Sequence, residues 1–168
     1  GKGYAVRQGM LQARGHFRVM CDADGSTPPD QLADLLGAIS SGQADISIGS
    51  RYIEGAVIET PQPWFRRIWS RTANWWIQRA LLPGIVDTHC GFKAFTEEAA
   101  IQVFGQCTVD GWAFDLEALV LAQAQGFVIS EVPVRWADDA RSRGRASHLL
   151  RAASDLWHIR KRMFRNHL

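Results

Sequence analysis

The sequence has few cysteines and no long apolar run, and both shortages exclude classes of protein. Its 168 residues include only Cys21, Cys90 and Cys107, which are widely spaced and form no CxxC pair. This spacing excludes a disulfide framework and favours reduced thiols in a cytosolic compartment. No charge-free apolar run approaches the ~18 residues that a membrane-spanning helix needs. Internal repeats, low-complexity tracts and motifs for binding RNA or DNA are also lacking.

The composition is that of a soluble globular domain, with 46% apolar and 21% charged residues. The net charge of +2 hides an uneven distribution. Residues 94–140 carry eight acids and one basic residue, whereas residues 141–168 carry eight basic residues and one acid. The basic end suggests anionic partners near the C-terminus. Because the chain opens with Gly1 directly into a helical pattern, we expect it to be a piece of a longer protein.

Helix-like and strand-like patterns alternate along the chain. Helices are predicted at residues 5–13, 30–40, 64–82 and 114–125 and from about 149, with Asp30 as the N-cap of the second. Short strands are predicted at residues 16–21, 44–50, 90–95 and 127–134. This alternation favours an α/β layer fold with a largely parallel sheet, in which ligands bind at the carboxyl ends of the strands.

The first predicted strand ends in DADGSTPP, where Asp22 and Asp24 stand one residue apart. Both carboxylates can be aimed at one point once the backbone turns, and two close carboxylates repel each other unless a cation lies between them. Mg²⁺ suits such a site because it takes one or two protein carboxylates and leaves room for substrate phosphates. The alternative is that the aspartates form Asx turns ahead of a helix.

The same stretch resembles the D-x-D-G-[ST] signature of haloacid-dehalogenase-type phosphatases. That resemblance implies a phosphorylated nucleophile at Asp22 and a general acid at Asp24. Those enzymes also need a later acidic pair that follows an apolar strand and a glycine. Asp138 and Asp139 are the one pair of adjacent aspartates and follow VRWA without such a glycine. The phosphatase is therefore kept as an alternative.

Seven motifs, in order along the chain, resemble family 2 glycosyltransferases with the GT-A fold. They are GKGYAVRQGM, DADGSTPPDQL, IGSRY, PWFRRIWSR, DTHCGFKAF, DGWAFDLEAL and EVPVRWADDARSR. The branch they resemble transfers sugars to polyprenyl phosphates, as dolichyl-phosphate glucosyltransferases and mannose synthases do. The resemblance implies a GT-A-type α/β sheet with flanking helices over residues 1–148, missing its first βαβ portion. A basic amphipathic helix would follow at residues 149–168.

The resemblance also implies roles on the donor side of the site. Asp22 would lie beside the ribose and diphosphate, and Asp24, helped by Asp22, would bind Mg²⁺ or Mn²⁺. The metal would neutralise charge on the departing nucleoside diphosphate. Lys2 and Arg143 are further candidates for binding the nucleotide sugar. Ser26 stands where relatives often have a glutamine ligand.

The implied acceptor is a lipid monophosphate, which is mostly ionised at neutral pH because its second pKa is ~6. Arginines with paired donors are needed to bring this anion to an anionic donor. The candidates for the acceptor phosphate are Arg51, Arg66, Ser70 and Arg71. Any single arginine could instead be a solvated surface charge.

Charged residues in two other motifs are candidates near the acceptor. Asp115 and Glu117 cannot share one helical face, so we expect one to face the site while the other caps or pairs. Asp115 matches an acidic position of family 2 enzymes and is predicted to be a base or positioning group, with a structural cap as the alternative. Asp87 is a second acidic candidate. Lys93 could pair with phosphate or be solvated.

Two segments fit a lipid acceptor. Residues 64–82 combine tryptophan with arginine, as an interfacial helix does, although the aromatics could instead fill the core or a subunit contact. The helix predicted at residues 149–168 could lie on a membrane in the same way. The resemblance thus implies an inverting transferase that moves glucose from UDP-glucose, or mannose from GDP-mannose, to a polyprenyl or dolichyl phosphate at the cytoplasmic face of a membrane.

The predicted enzyme would be peripheral or anchored by segments absent from this chain. It could form a homo-oligomer, and no nucleic-acid partner is expected. A third hypothesis, from a class without catalysis, is a basic module that binds a membrane surface or nucleic acid through charge alone.

Overall fold

The computed structural model describes residues 1–60 and 81–137 and the single positions Thr72, Arg79 and Ile159. Several predicted features lie outside the described residues: Arg66, Ser70, Arg71, Asp138, Asp139, Arg143, most of the Trp-rich segment, and nearly all of the helix predicted at residues 149–168. Among the helices that are described, none is both long enough and apolar enough to cross a membrane.

Helices and strands alternate along the described chain, which confirms the predicted α/β class. The helices are α1 (Lys2–Gln12), α2 (Leu32–Ser40), α3 (Glu97–Gln106) and α4 (Phe114–Ala124). The strands are β1 (Phe17–Cys21), β2 (Ile46–Ser50), β3 (Val57–Thr60), β4 (Phe92–Thr96), β5 (Ile129–Pro133) and β6 (Arg135–Ala137).

The start of one helix and the presence of another differ from the prediction. The N-cap assigned to Asp30 is wrong, because this residue lies in a 3₁₀ turn, Pro29–Gln31, and its carboxylate pairs with Arg135 at 2.5 Å. Helix α3 was not predicted, although its signals are present in the sequence. The Thr96 hydroxyl caps it by accepting from Ala99 N, and acids at Glu97 and Glu98 complement the helix dipole in the first turn.

The larger sheet has the order β1-β4-β2-β5 and is mixed rather than largely parallel. Strand β4 runs antiparallel to both β1 and β2, whereas β2 and β5 are parallel. The prediction of a largely parallel sheet was wrong. Strand β4 is buried along almost its whole length, like a strand of a parallel sheet, and burial does not encode direction. Strand β5 is only half-buried because it lies at the edge of the described sheet.

The direction of β4 decides which loops meet. Cys21 at the end of β1 pairs with Phe92 at the start of β4, and Ile48 of β2 pairs with Lys93. The carboxyl ends of β1, β2 and β5 therefore share one edge of the sheet with the amino end of β4. A second sheet, formed by β3 and β6 in parallel, is tied to β1's loop, since Ala137 N donates to Ser26 O.

Two clusters of apolar side chains form the core. The larger one joins β2 and β4 to α3 and α4 through residues such as Ile46, Phe95, Val103 and Leu119. The smaller one packs α2 on the opposite face of β4, against Phe92 and Ala94. Because side chains alternate along a strand, Lys93 lies on the same face as Phe95 and therefore faces α4.

Candidate active site

One edge of the larger sheet gathers charged side chains from several motifs. It lies where β1 and β2 end and β4 begins, and the first turn of α4 adds further acids. Of the residues predicted from the sequence, the structure places these at or beside that edge: Lys2, Asp22, Asp24, Arg51, Asp87, Lys93 and Asp115.

Asp22 is paired with Lys2, whose Nζ lies 2.6 Å from Asp22 Oδ1. The same ammonium stands 5.0 Å from the ring centroid of Trp112 and 5.8 Å from that of Phe114, which are cation–π distances. A positive charge is therefore already held against Asp22. The carboxylate is about a third exposed, so it remains accessible from solvent.

Glycine on either side of Lys2 explains how α1 delivers this lysine. Gly3 N donates to Asp110 O at 3.0 Å, and a Cβ at Gly3 would lie 2.7 Å from the Phe114 Cβ and would overlap the backbone of the neighbouring loop. A Cβ at Gly1 would likewise overlap Asp110 O. Only glycine lets the start of α1 approach this loop so closely.

Asp24 is exposed and shapes the turn that follows β1. Its Oδ1 accepts from Ser26 N at 2.9 Å, so the Asx turn foreseen as an alternative to metal binding is present. One hydrogen bond does not exhaust a carboxylate, which offers about four lone-pair sites. Gly25 has φ +73°, which glycine adopts without strain. Ser26 is buried and donates its backbone amide to this turn.

The chemistry of this edge fits a hard divalent cation. Within residues 1–60 and 81–137, no group of three or more His, Cys, Asp or Glu is placed to hold a metal. Asp24, with or without Asp22, can supply one or two carboxylates, and Mg²⁺ typically takes no more than that from protein when substrate phosphates and water complete its shell. The donor set therefore suits a metal that arrives with a phosphorylated substrate.

Gly91 forms the wall behind the Asp22 carboxylate. Asp22 N donates to Gly91 O at 3.0 Å, and a Cβ at Gly91 would overlap the carboxylate of Asp22. The alanine variant Gly91→Ala must therefore displace either the acid or the loop.

We expect Gly91→Ala to slow the sugar transfer predicted from the sequence about 10²-fold, because displacing a positioned group by about 1 Å can cost that much. Gly105→Ala is the matched control, since nothing lies within 4 Å of a Cβ at that helical position and alanine is expected to be tolerated. Steady-state rates and thermal unfolding of both variants check this. Equal activity of both variants would show that Gly91 does not position Asp22.

Arg51 and Asp87 form a buried bidentate ion pair. Arg51 Nε lies 2.7 Å from Oδ2 and Nη2 lies 2.8 Å from Oδ1, and Arg51 N adds a third bond of 3.0 Å. The guanidinium carbon is 5.2 Å from the ring centroids of both Tyr52 and Trp136. Burial opposes the charge of Asp87, but the hydrogen bonds and charge of Arg51 outweigh it and lower the pKa of Asp87.

This pairing bears on the role predicted for Arg51 at the acceptor phosphate. One of the guanidinium's bidentate donor pairs, Nε and Nη2, is bonded to Asp87. Asp87 in turn sits in the loop that leads to Gly91 and β4. In this geometry, the pair holds the loop in place, and acceptor binding by Arg51 stays a prediction.

Glu131 is a site-supporting acid that the sequence analysis missed. Its two carboxylate oxygens accept from Val86 N at 2.7 Å and from Asp87 N at 2.9 Å, so it fixes the backbone of the loop that carries Asp87. The available signal was an acid inside the apolar run FVISEVPV, because a carboxylate in such a strand needs a partner.

The two acids in the first turn of α4 have different partners. Lys93 Nζ donates to Asp115 Oδ1 at 3.1 Å and to Cys90 O at 2.5 Å. Glu117 instead accepts from Thr108 N at 2.9 Å, from Thr108 Oγ1 at 2.8 Å and from Val109 N at 2.8 Å. Glu117 therefore orders the loop before α4, and Asp115 is the acid that belongs to the edge described here.

Comparison with known proteins identifies the family. The model of glycosyl transferase family 2 matches residues 1–104, a range that includes DADGST. A dolichyl-phosphate beta-glucosyltransferase of Trichomonas vaginalis is 39% identical over 164 residues, which are 95% of this chain and 48% of that protein. The human dolichyl-phosphate beta-glucosyltransferase is 35% identical over 144 residues, which are 82% of this chain and 44% of that protein. The chain thus spans about half the length of the curated relatives it matches.

Solved structures agree on the fold. Glucosyl-3-phosphoglycerate synthase from Mycobacterium tuberculosis, in complex with phosphoglyceric acid, superposes with a TM-score of 0.69 at 16% identity, over 95% of this chain and 55% of that one. The same enzyme with Mn²⁺, UDP-glucose and phosphoglyceric acid gives a TM-score of 0.68 at 14% identity, over 95% and 53%. This likeness confirms the GT-A-type α/β fold. Since the family model covers more than half of the sequence, the chain belongs to glycosyltransferase family 2.

Proposed function

We propose that the protein is an inverting hexosyltransferase that moves glucose from UDP-glucose to dolichyl phosphate or a related polyprenyl phosphate. The observation that carries the proposal is the placement of the DADGST carboxylates at the carboxyl end of β1, beside Lys2, in a family 2 chain. The names of the relatives favour glucose and dolichyl phosphate over mannose. The family match also favours this function over the phosphatase alternative, because it includes DADGST.

On the donor side, Asp22 and Asp24 have different tasks. Asp22, held by the Lys2 ammonium and the wall at Gly91, is placed to accept hydrogen bonds from the ribose. Asp24 is the exposed carboxylate and would bind Mg²⁺ or Mn²⁺, as the complex of the mycobacterial synthase with Mn²⁺ and UDP-glucose supports. When bound, the metal neutralises charge that develops on the departing UDP.

On the acceptor side, a phosphate oxygen attacks C1 of glucose in line with the bond to UDP. The bond between C1 and the diphosphate oxygen breaks as the new bond forms, so the configuration at C1 inverts and the product is β-linked. Because a phosphate monoester is mostly ionised at pH 7, little proton transfer is needed. Asp115 therefore acts mainly by orienting the reacting groups. The proposed contacts of the acceptor phosphate remain Arg51, Arg66, Ser70 and Arg71, and Arg143 remains a proposed contact of the nucleotide sugar.

We also propose that the enzyme acts at the cytoplasmic face of a membrane. The tryptophan and arginine residues of segment 64–82 and the basic residues of segment 149–168 support the contact with a membrane, because such side chains suit an anionic lipid surface. The division into a catalytic portion at residues 1–148 and a basic helix at residues 149–168 belongs to the same proposal.

A transfer assay tests the function directly. The full-length protein is incubated with dolichyl phosphate, Mg²⁺ and either labelled UDP-glucose or labelled GDP-mannose, with and without a chelator. We expect label from UDP-glucose to enter lipid and the chelator to abolish the transfer. Label entering only from GDP-mannose would change the sugar and the donor. Release of phosphate from phosphomonoesters without sugar transfer would support the phosphatase, and vesicle binding without any turnover would support the non-catalytic module.

A further inference from the structure

We propose that Lys93 is a positioning residue, whose ammonium fixes Asp115 relative to Asp22 and thereby aligns the two sides of the reaction. This inference rests on the proposed transferase function. It assigns Lys93 a task inside the protein, in contrast to a direct contact with phosphate.

The burial of Lys93 is the first observation. Its side chain is 1% exposed, in the middle of the sheet and on the face that packs against α4. Lysine is almost never fully buried unless it is paired, because an unpaired ammonium in an apolar environment is strongly disfavoured. A lysine that only filled space here could be replaced by an apolar side chain of similar volume. Its burial therefore directs attention to the contacts of the ammonium group.

The contacts of Lys93 show what that use is. Its Nζ reaches Asp115 Oδ1 in the first turn of α4 and Cys90 O in the loop ahead of β4. The residue after Cys90 is Gly91, whose carbonyl accepts from Asp22 N and whose Cα lies against the Asp22 carboxylate. One ammonium thus connects α4 to the segment on which Asp22 rests.

Charge compensation supports the same conclusion. Asp115 is 5% exposed, so its carboxylate has little water to stabilise it. Within the described part of the chain, Lys93 is the cation that forms an ion pair with it. The contact is made by Asp115 Oδ1 and fixes the orientation of the carboxyl group. The guanidinium of Arg51 does not replace Lys93, since it is bonded to Asp87.

The test is a double-mutant cycle in the full-length protein with UDP-glucose and dolichyl phosphate. We expect Lys93→Met, which keeps the length of the side chain and removes the charge, to lower kcat about 10²-fold with little change in KM for either substrate. In the Asp115→Asn background, the same substitution should cost little more, because it acts through that acid. In the Asp34→Asn background, where the aspartate is an exposed residue of α2, the full loss should recur.

Several outcomes would overturn the inference. A loss of the same size in the Asp115→Asn background as in the wild type would show that Lys93 does not act through Asp115. A rise in KM without a fall in kcat would indicate a phosphate contact instead. If Lys93→Met fails to fold, kcat of the variant Lys93→Met/Asp115→Asn, whose buried pair is neutral, is compared with kcat of Asp115→Asn alone. A large further loss in the double variant would overturn the inference. Absence of transfer by the wild type would refute the proposed function, whereas an active wild type with a fully active Lys93→Met would refute only this inference.

Discussion

Asparagine in place of Asp24 is expected to lower metal-dependent sugar transfer by on the order of 10²–10³-fold while the protein stays folded. The amide oxygen of asparagine can still accept from Ser26 N, so the Asx turn that follows β1 survives. What is lost is the negative charge that we propose binds the cation. Initial rates at several Mg²⁺ concentrations, together with circular dichroism, measure both effects.

A matched substitution separates this effect from a general loss of acidic charge. Asp34→Asn removes one negative charge from an exposed position of α2 and is expected to leave transfer unchanged. Raising the Mg²⁺ concentration should partly restore the Asp24→Asn variant if the loss lies in metal affinity. Undiminished transfer by Asp24→Asn at low Mg²⁺ would remove Asp24 from the metal site.

Asp87→Asn is expected to destabilise the fold by about 3–5 kcal/mol, because it leaves the guanidinium of Arg51 buried without its counter-charge. The Asp87 side chain is 0% exposed, and the Arg51 side chain is 10% exposed. Urea unfolding followed by circular dichroism measures the free energy of unfolding. The control is Asp110→Asn, whose exposed carboxylate lies 3.1 Å from the partly exposed Arg7 and whose loss should cost about 0–1 kcal/mol.

The difference in unfolding free energy between wild type and Asp87→Asn should depend on pH, because the pKa of Asp87 is lowered in the folded protein. Since the folded protein holds this pKa below the unfolded value of about 3.9, the pair contributes its full stability above that pH and loses it as the pH falls through the folded value. The gap in unfolding free energy between wild type and Asp87→Asn should therefore narrow below about pH 4. A gap that is constant from pH 7 into the acid range would contradict this assignment.

The sequence predicted those features that depend on local chemistry. Apolar spacing located most helices and strands, and an acid pair after an apolar run located the DADGST turn at a strand end. The direction of β4 could not be predicted, because the pattern of burial along a strand is the same whichever way the chain runs. That direction brings Asp87 and Gly91 to the carboxyl ends of β1 and β2.

The sequence was less informative about which charges pair with one another. Arg51 was predicted to meet a phosphate because its motif suggested an acceptor site, yet its guanidinium bonds to Asp87, which lies far away in the chain. Lys2 and Asp22 were both placed at the donor, but their mutual ion pair was not foreseen. Pairing of this kind depends on tertiary distances, which a motif does not contain.

The reversed strand β4 has a consequence for how the protein folds. The hydrogen bond from Asp22 N to Gly91 O joins residues that are far apart in the chain, and the ion pairs of Arg51 and Lys93 also close long loops. Contacts of high sequence separation form slowly, because loop-closure entropy is lost before they are made. The edge of the sheet that carries Asp22, Gly91 and Lys93 should thus be among the last parts of the domain to become ordered, after the local helices have already formed.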